Sequence, residues 1–323
     1  MSESPPAKRQ RPNEQEITRS SEVWHCDGSV VLQASGTQFR VHWSVLSQHS
    51  AFFRDLQGLP QPPDEPKVEE CPVIELLGDS PEDVECVLKT LYDPWFFSQK
   101  PLTLSVVASH IRLGRKYDFK DILQAMVERL SQDLPQTLEG YDGLFPEGKY
   151  TPIWIKAYSG YCIDILALVK ENNLRTLLPC AYLRVLQNCQ QAQLFDGITR
   201  RDGTLATLAV EDQRLCALTG KKIAQSQWQE EHTFGWIAQY DGCPECTQPA
   251  ACTLKRMARL HTQLKMDTML ALSSVANYMV HLGLCDACTE DGAQKMSEGR
   301  KKMWELLPTF FELPPWAELQ NDI

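Results

Sequence analysis

Five cysteines in the last third of the chain have the spacing of metal ligands. Cys243-Pro-Glu-Cys246 is followed by Cys252, and Cys285-Asp-Ala-Cys288 comes well downstream. Cysteines two residues apart present both thiolates to one small cation from a tight turn, and two such pairs complete the tetrahedral shell of structural zinc. Here five thiols compete for four places, with His261 and His281 as imidazole reserves. The competing structural reading is a set of buried free thiols, which behave as small hydrophobes. Thiol redox chemistry at Cys243-x-x-Cys246 would need a strand-to-helix context, which the surrounding Trp236–Gly242 segment does not supply.

A shared site requires the chain between the two halves to double back. Leu254, Met257, Ala258 and Leu264 have helical spacing, and Met266, Met269, Leu270, Ser273 and Val280 suggest a second helix. One straight helix would hold its ends about 45 Å apart at 1.5 Å per residue, too far for a common cation. A break near Met266-Asp267-Thr268 makes the two halves antiparallel and returns Cys252 to Cys285. Zinc binding therefore predicts a helical hairpin clamped at its open end.

The 323 residues suffice for about two domains, and 43% apolar with 23% charged residues is ordinary for a core-forming protein. Thirty-two basic against 42 acidic residues give a net charge of −10, which argues against general affinity for nucleic acid or anionic membrane. There is no secretory signal and no apolar window of about 18 residues. An intracellular protein of nucleus or cytoplasm is expected, with its cysteines reduced. No phosphate-binding glycine loop, nucleophile elbow or metalloprotease motif occurs. His25, His49, His110 and His232 stand in no catalytic constellation, so no enzymatic activity is expected.

Towards the N-terminus, Val30 to Gln33 alternate, Ser35-Gly36 supplies a turn, and Phe39 and Val41 resume the alternation, the pattern of a hairpin. From Trp43 the period changes: Val45, Leu46, Phe52, Phe53 and Leu56 predict two short helices, the second capped by Ser50. This order resembles the BTB/POZ domain, whose members open on Asp-h-x-h (h apolar) and enter their helices with His, Leu and Ser-x-x-Phe. Asp27, Val30, His42, Leu46, Ser50 and Phe53 stand at those positions, and Gly28 departs from the aliphatic residue many members carry there.

The chain continues as the resemblance requires. Gly58 to Pro66 is a proline-rich loop, and Pro72 to Leu77 reads as a strand. Asp79-Ser-Pro-Glu-Asp83 opens a helix carrying Val84, Val87, Leu88, Leu91 and Tyr92, and Asp93 to Phe97 interrupts it as an aromatic loop. Leu104 to Ile111 and Ile122 to Leu130 predict two more helices, joined by Lys116-Tyr-Asp-Phe119, similar to the Lys-Tyr-x-h of BTB domains. The expected division is a basic, proline-bearing disordered tail over 1–22, a BTB domain over 23–133, a linker over 134–152, and a helical domain over 153–323. The fold class is α+β followed by a nearly all-helical region.

Leu178-Pro-Cys-Ala-Tyr182, and the tail from Arg300-Lys-Lys-Met-Trp304 to Pro314-Pro-Trp316, resemble segments of a large fungal BTB group. That group often shows Cys-x5-Cys before a later Leu-Cys-x-x-Cys. The resemblance selects Cys246, Cys252, Cys285 and Cys288 as ligands and leaves Cys243 as the alternate. For the tail, the structural reading is a closing helix and aromatic segment docked on the helical domain.

The resemblance implies a protein-protein interaction module, often a homodimer, in some members an adaptor for a cullin ubiquitin ligase. Asp27, His42, Leu46, Ser50 and Phe53 would maintain that fold, with partner contacts near Leu91 to Phe97 and the following helix. The aromatic loop differs from the apolar-x-Glu element of several cullin adaptors. A rival reading is a nuclear regulator, resting on Lys8, Arg9 and Arg11 as an import signal and on BTB dimerisation in transcription factors. That reading lacks Cys2His2 finger spacing and a basic recognition helix.

Overall fold

The computed structural model describes residues 17–60, 66–93, 95, 101–239, 243–264 and 269–323. Lys8, Arg9 and Arg11, the loop residues Pro94, Phe96 and Phe97, and the expected break at Met266-Asp267-Thr268 lie outside the described residues. The chain divides into two compact units, 1–99 with 105–126 and 100–104 with 127–323.

The first unit is built on a five-stranded sheet of order β1-β3-β2-β5-β4. Its strands are β1 (Thr18–Trp24), β2 (Val30–Ala34), β3 (Thr37–Val41), β4 (Lys67–Val68) and β5 (Cys71–Glu75). The hairpin β2/β3 is antiparallel, with Val30 opposite Val41 and Ala34 opposite Thr37. Its two-residue turn is Ser35-Gly36, both left-handed with φ of 42° and 88°, the backbone twist that a tight hairpin requires. Two parallel pairings, β1 with β3 and β2 with β5, extend the sheet.

The change of period after the hairpin yields α1 (Trp43–His49) and α2 (Ala51–Gln57), as expected. Ser80 caps α3 (Pro81–Tyr92) by accepting the Asp83 N–H, with proline and two acids in the first turn. Two further helices follow, α4 (Leu104–Lys116) and α5 (Lys120–Asp133), the second unit taking over at Val127 within α5. Leu32, Phe39, Leu46, Phe53, Val87, Leu88 and Leu113 form one contiguous core between sheet and helices. Each such large side chain contributes about 1.5–3 kcal/mol by leaving water.

One strand begins inside the segment expected to be a disordered tail. Thr18 to Glu22 form most of β1, and only Ser20 and Val23 of that strand are buried. Such a sparse pattern has no alternation to read, and pairing with β3 specifies the strand instead.

Among its described residues the second unit is helical apart from a short antiparallel hairpin and two isolated bridges. It includes α6 (Leu138–Gly143), α7 (Tyr161–Glu171), α8 (Leu178–Asn188) and α9 (Gln191–Asp196), then the hairpin of β6 (Ile198–Thr199) and β7 (Leu205–Ala206). There follow α10 (Val210–Ser226), α11 (Gly235–Gln239), α12 (Pro249–Leu264), α13 (Val275–Val280), α14 (Asp286–Glu305) and α15 (Leu307–Phe310). The segment expected to be a linker is packed: Leu134, Leu138, Tyr141 and Leu144 are buried. Their spacing is helical, but the neighbouring glycines and prolines obscure it in the sequence. Asp133 fixes the return of this segment by accepting the backbone N–H groups of Ile153 at 2.6 Å and Ile155 at 2.8 Å, with Trp154 between them.

The C-terminal tail is docked on the helical unit, in agreement with the structural reading of its sequence. Met303, Trp304, Leu307 and Phe311 are buried, Trp304 stacks on Trp316, and Phe311 stacks on Tyr182. Tyr182, from the Leu-Pro-Cys-Ala-Tyr segment, donates to the buried carboxylate of Asp212 at 2.6 Å, which Lys170 neutralises.

Candidate functional site

The structure brings together Cys246, Cys252, Cys285 and Cys288, whose sulfurs all lie within 4.8 Å of one another. Cys246 closes a turn by donating its N–H to the Cys243 carbonyl at 3.0 Å. Cys252 stands in the first turn of α12, Cys285 is the residue before α14, and Cys288 lies in the first turn of that helix. Cys252 and Cys288 are buried, the other two half-buried. Cys246 Sγ and Cys285 Sγ are 3.8 Å apart, too far for a disulfide. Four thiolates at the usual zinc–sulfur distance of about 2.3 Å would sit about 3.8 Å from one another, so the donor set fits that cation.

The local electrostatics favour a cation between the sulfurs. Backbone N–H groups of Cys288 and Thr247 hold the Cys285 thiol down to about 6. Burial pushes the Cys288 and Cys246 thiols up. Four clustered sulfurs cannot all ionise without a compensating positive charge, which a divalent cation would provide. Cys243 supplies a turn carbonyl and stands outside the four-sulfur group, while His261 and His281 are exposed and also stand outside it.

The expected helical hairpin needs one correction. Its first arm is α12, but the return is regular only over α13, shorter than the helix predicted from Met266 to Val280. Residues 269–274 follow an irregular path because Gln227 accepts the Leu270 N–H and Thr233 donates to the Ala271 carbonyl. Those polar ties to distant residues leave no mark on local periodicity.

In the first unit, His42 Nε2 lies 3.2 Å from Asp27 Oδ1. Tyr92 accepts the His42 backbone N–H at 2.9 Å and its hydroxyl meets His42 Nδ1 at the same distance. The two ends of the imidazole are thereby tied to the loop before β2 and to the last turn of α3. Leu46 and Phe53 are fully buried beneath this junction. Gly28 is required by close approach: a Cβ there would lie 2.8 Å from Arg40 Cγ and 2.9 Å from the Val41 carbonyl.

Lys116 and Tyr117 both engage Asp79. Lys116 Nζ is 2.7 Å from its carboxylate, and the Tyr117 hydroxyl donates to it. Sequence reasoning placed Asp79 only at the start of α3; its role as the shared partner of Lys116 and Tyr117 had no local signal.

Residues 19–134 match the BTB/POZ domain. The match starts within β1 and ends one residue after α5, so the sheet and the five helices described first are that domain. A search of curated proteins finds no match to the chain. The BTB domain is a protein-protein interaction module. Two further histidines are buried and hydrogen-bonded: His110 meets Thr90 at 2.7 Å, and His232 meets the Ser226 carbonyl at 2.7 Å. Among the described residues, no helix is long and apolar enough to cross a membrane.

Proposed function

We propose that this protein is a BTB adaptor of the kind found in fungi, which homodimerises through its N-terminal domain and recruits a partner such as a cullin ubiquitin ligase. The observation that carries this reading is the BTB match over 19–134, with the Asp27–His42–Tyr92 junction intact. Trp95, in the loop after α3, is 77% exposed, as an anchor for a partner surface would be. The helical unit then serves as the second, partner-selecting module, stapled by zinc on Cys246, Cys252, Cys285 and Cys288. Its zinc would be structural, since four protein sulfurs leave no open coordination position.

The test pairs light scattering on the purified full chain with affinity capture from its native cells. A dimer, together with a cullin recovered by the full chain and lost when 19–134 are deleted, supports the adaptor. A monomer that captures no cullin removes it.

A further inference from the structure

The helical unit holds a cavity of about 710 Å³, a size typical of ligand pockets. Two guanidinium groups stand in its wall, Arg259 from α12 and Arg300 from α14. Arg300 is only 6% exposed. Asp142 pairs with it through both carboxylate oxygens, at 2.5 and 3.2 Å, and the Leu272 carbonyl accepts from it at 3.2 Å. Arg259 has no such counter-charge: its guanidinium lies 5.0 Å from the Tyr278 ring centroid, and no carboxylate among the described residues pairs with it. The Nε of each arginine is buried and makes no hydrogen bond.

Among the described residues the wall therefore carries one cation in excess, in a chain whose net charge is −10. A half-buried guanidinium that faces a partly open cavity, with no carboxylate among the described residues paired to it, is an arrangement that an anion relieves. The rest of the lining includes the polar Asn277 and Ser273 and the apolar Phe145 and Leu270. We infer that this cavity binds an oxyanion, a carboxylate or phosphate, carried on a partly apolar body. Arginine suits either group because its planar fork donates two parallel hydrogen bonds. The inference goes beyond the adaptor reading and does not depend on it.

The test uses the full chain and three probes: inorganic phosphate, capped hexapeptides with a central glutamate or phosphoserine, and the same peptide with glutamine. Calorimetric titration should detect binding of at least one anionic probe and none of the glutamine peptide. Arg259→Gln should weaken binding about tenfold or more, the effect of losing one charge-assisted contact. Asn277→Asp gives a second variant, since this exposed position in the first turn of α13 tolerates an acid and the added charge repels the ligand. Peptides binding more tightly than phosphate would identify the anion as part of a protein partner, whereas equal binding would identify a free small anion. The inference is overturned if no anionic probe binds, or if both folded variants bind as the unmodified chain does.

Discussion

The Ser50 hydroxyl donates to the Tyr117 carbonyl at 2.6 Å and accepts the Phe53 N–H at 3.0 Å, so one small side chain caps α2 and ties it to the end of α4. Ser50 is fully buried. The Ser-x-x-Phe signature thus has two physical demands: a cap for the helix start, and a partner for a buried carbonyl far away in the chain.

Replacing Ser50 by alanine removes the cap and a buried hydrogen bond together. The expected loss is about 2–3 kcal/mol in the unfolding of the N-terminal unit. Urea denaturation, read by hydrogen exchange at amides of α2 and the hairpin, checks it. A loss below about 0.5 kcal/mol, the range of ordinary surface substitutions, would mean that the bond contributes little.

His25 gives the same unit a pH dependence. Burial, and then the neighbouring His42, lower its pKa from the ordinary 6.5, while Asp27 acts in the opposite direction. Its ring stacks on Tyr92 with centroids 4.1 Å apart. Because the folded value is the lower one, the unfolded chain takes up the proton first. Stability is fully present above about 6.5 and is lost as pH falls through the lowered folded value. His25→Phe should flatten the slope of unfolding free energy against pH just below 6.5, with Tyr92 stacking kept; an unchanged slope would assign it to other groups.

The four-sulfur group predicts one zinc per chain by elemental analysis of protein prepared reduced and without chelator. Serine at Cys246, Cys252, Cys285 or Cys288 should each abolish retention, and Cys243→Ser should leave it intact. Structural zinc supplies on the order of 10 kcal/mol in small metal-dependent folds, so chelation should lower the melting temperature of the helical unit markedly. Metal-free protein with an unchanged melting temperature would leave these residues as buried thiols.

Much of this was legible because it is local. The hairpin, the two short helices and the capped start of α3 follow from period changes and from Ser35-Gly36, Ser50 and Ser80, each acting within a few residues. Cysteine spacing, joined to the fungal resemblance, named the four cysteines whose sulfurs the structure brings together. What escaped is non-local. β1 is specified by a neighbouring strand, residues 269–274 by side chains of Gln227 and Thr233, and the Lys116–Asp79 and Arg300–Asp142 pairs by tertiary approach. A charged residue in a sequence carries no sign of the distant partner that permits its burial.

Gly299 shows how tertiary approach reverses a local rule. It lies inside α14, where alanine is ordinarily favoured by about 1 kcal/mol. A Cβ at this position would clash with the backbone of His232 and Thr233, which cannot swing aside as a flexible side chain would. His232 is itself held by the Ser226 carbonyl, and Thr233 by the Ala271 carbonyl, so the opposing segment is anchored on both sides of the clash. Gly299→Ala should therefore destabilise the helical unit by about 1–3 kcal/mol, the cost of overpacking a filled interior. Gly143→Ala, at a helical glycine where a Cβ meets nothing within 4 Å, is the matched control and should be neutral or slightly stabilising. Thermal unfolding of both variants decides the matter: equal melting temperatures would mean that the α14 backbone shifts away from His232 at little cost.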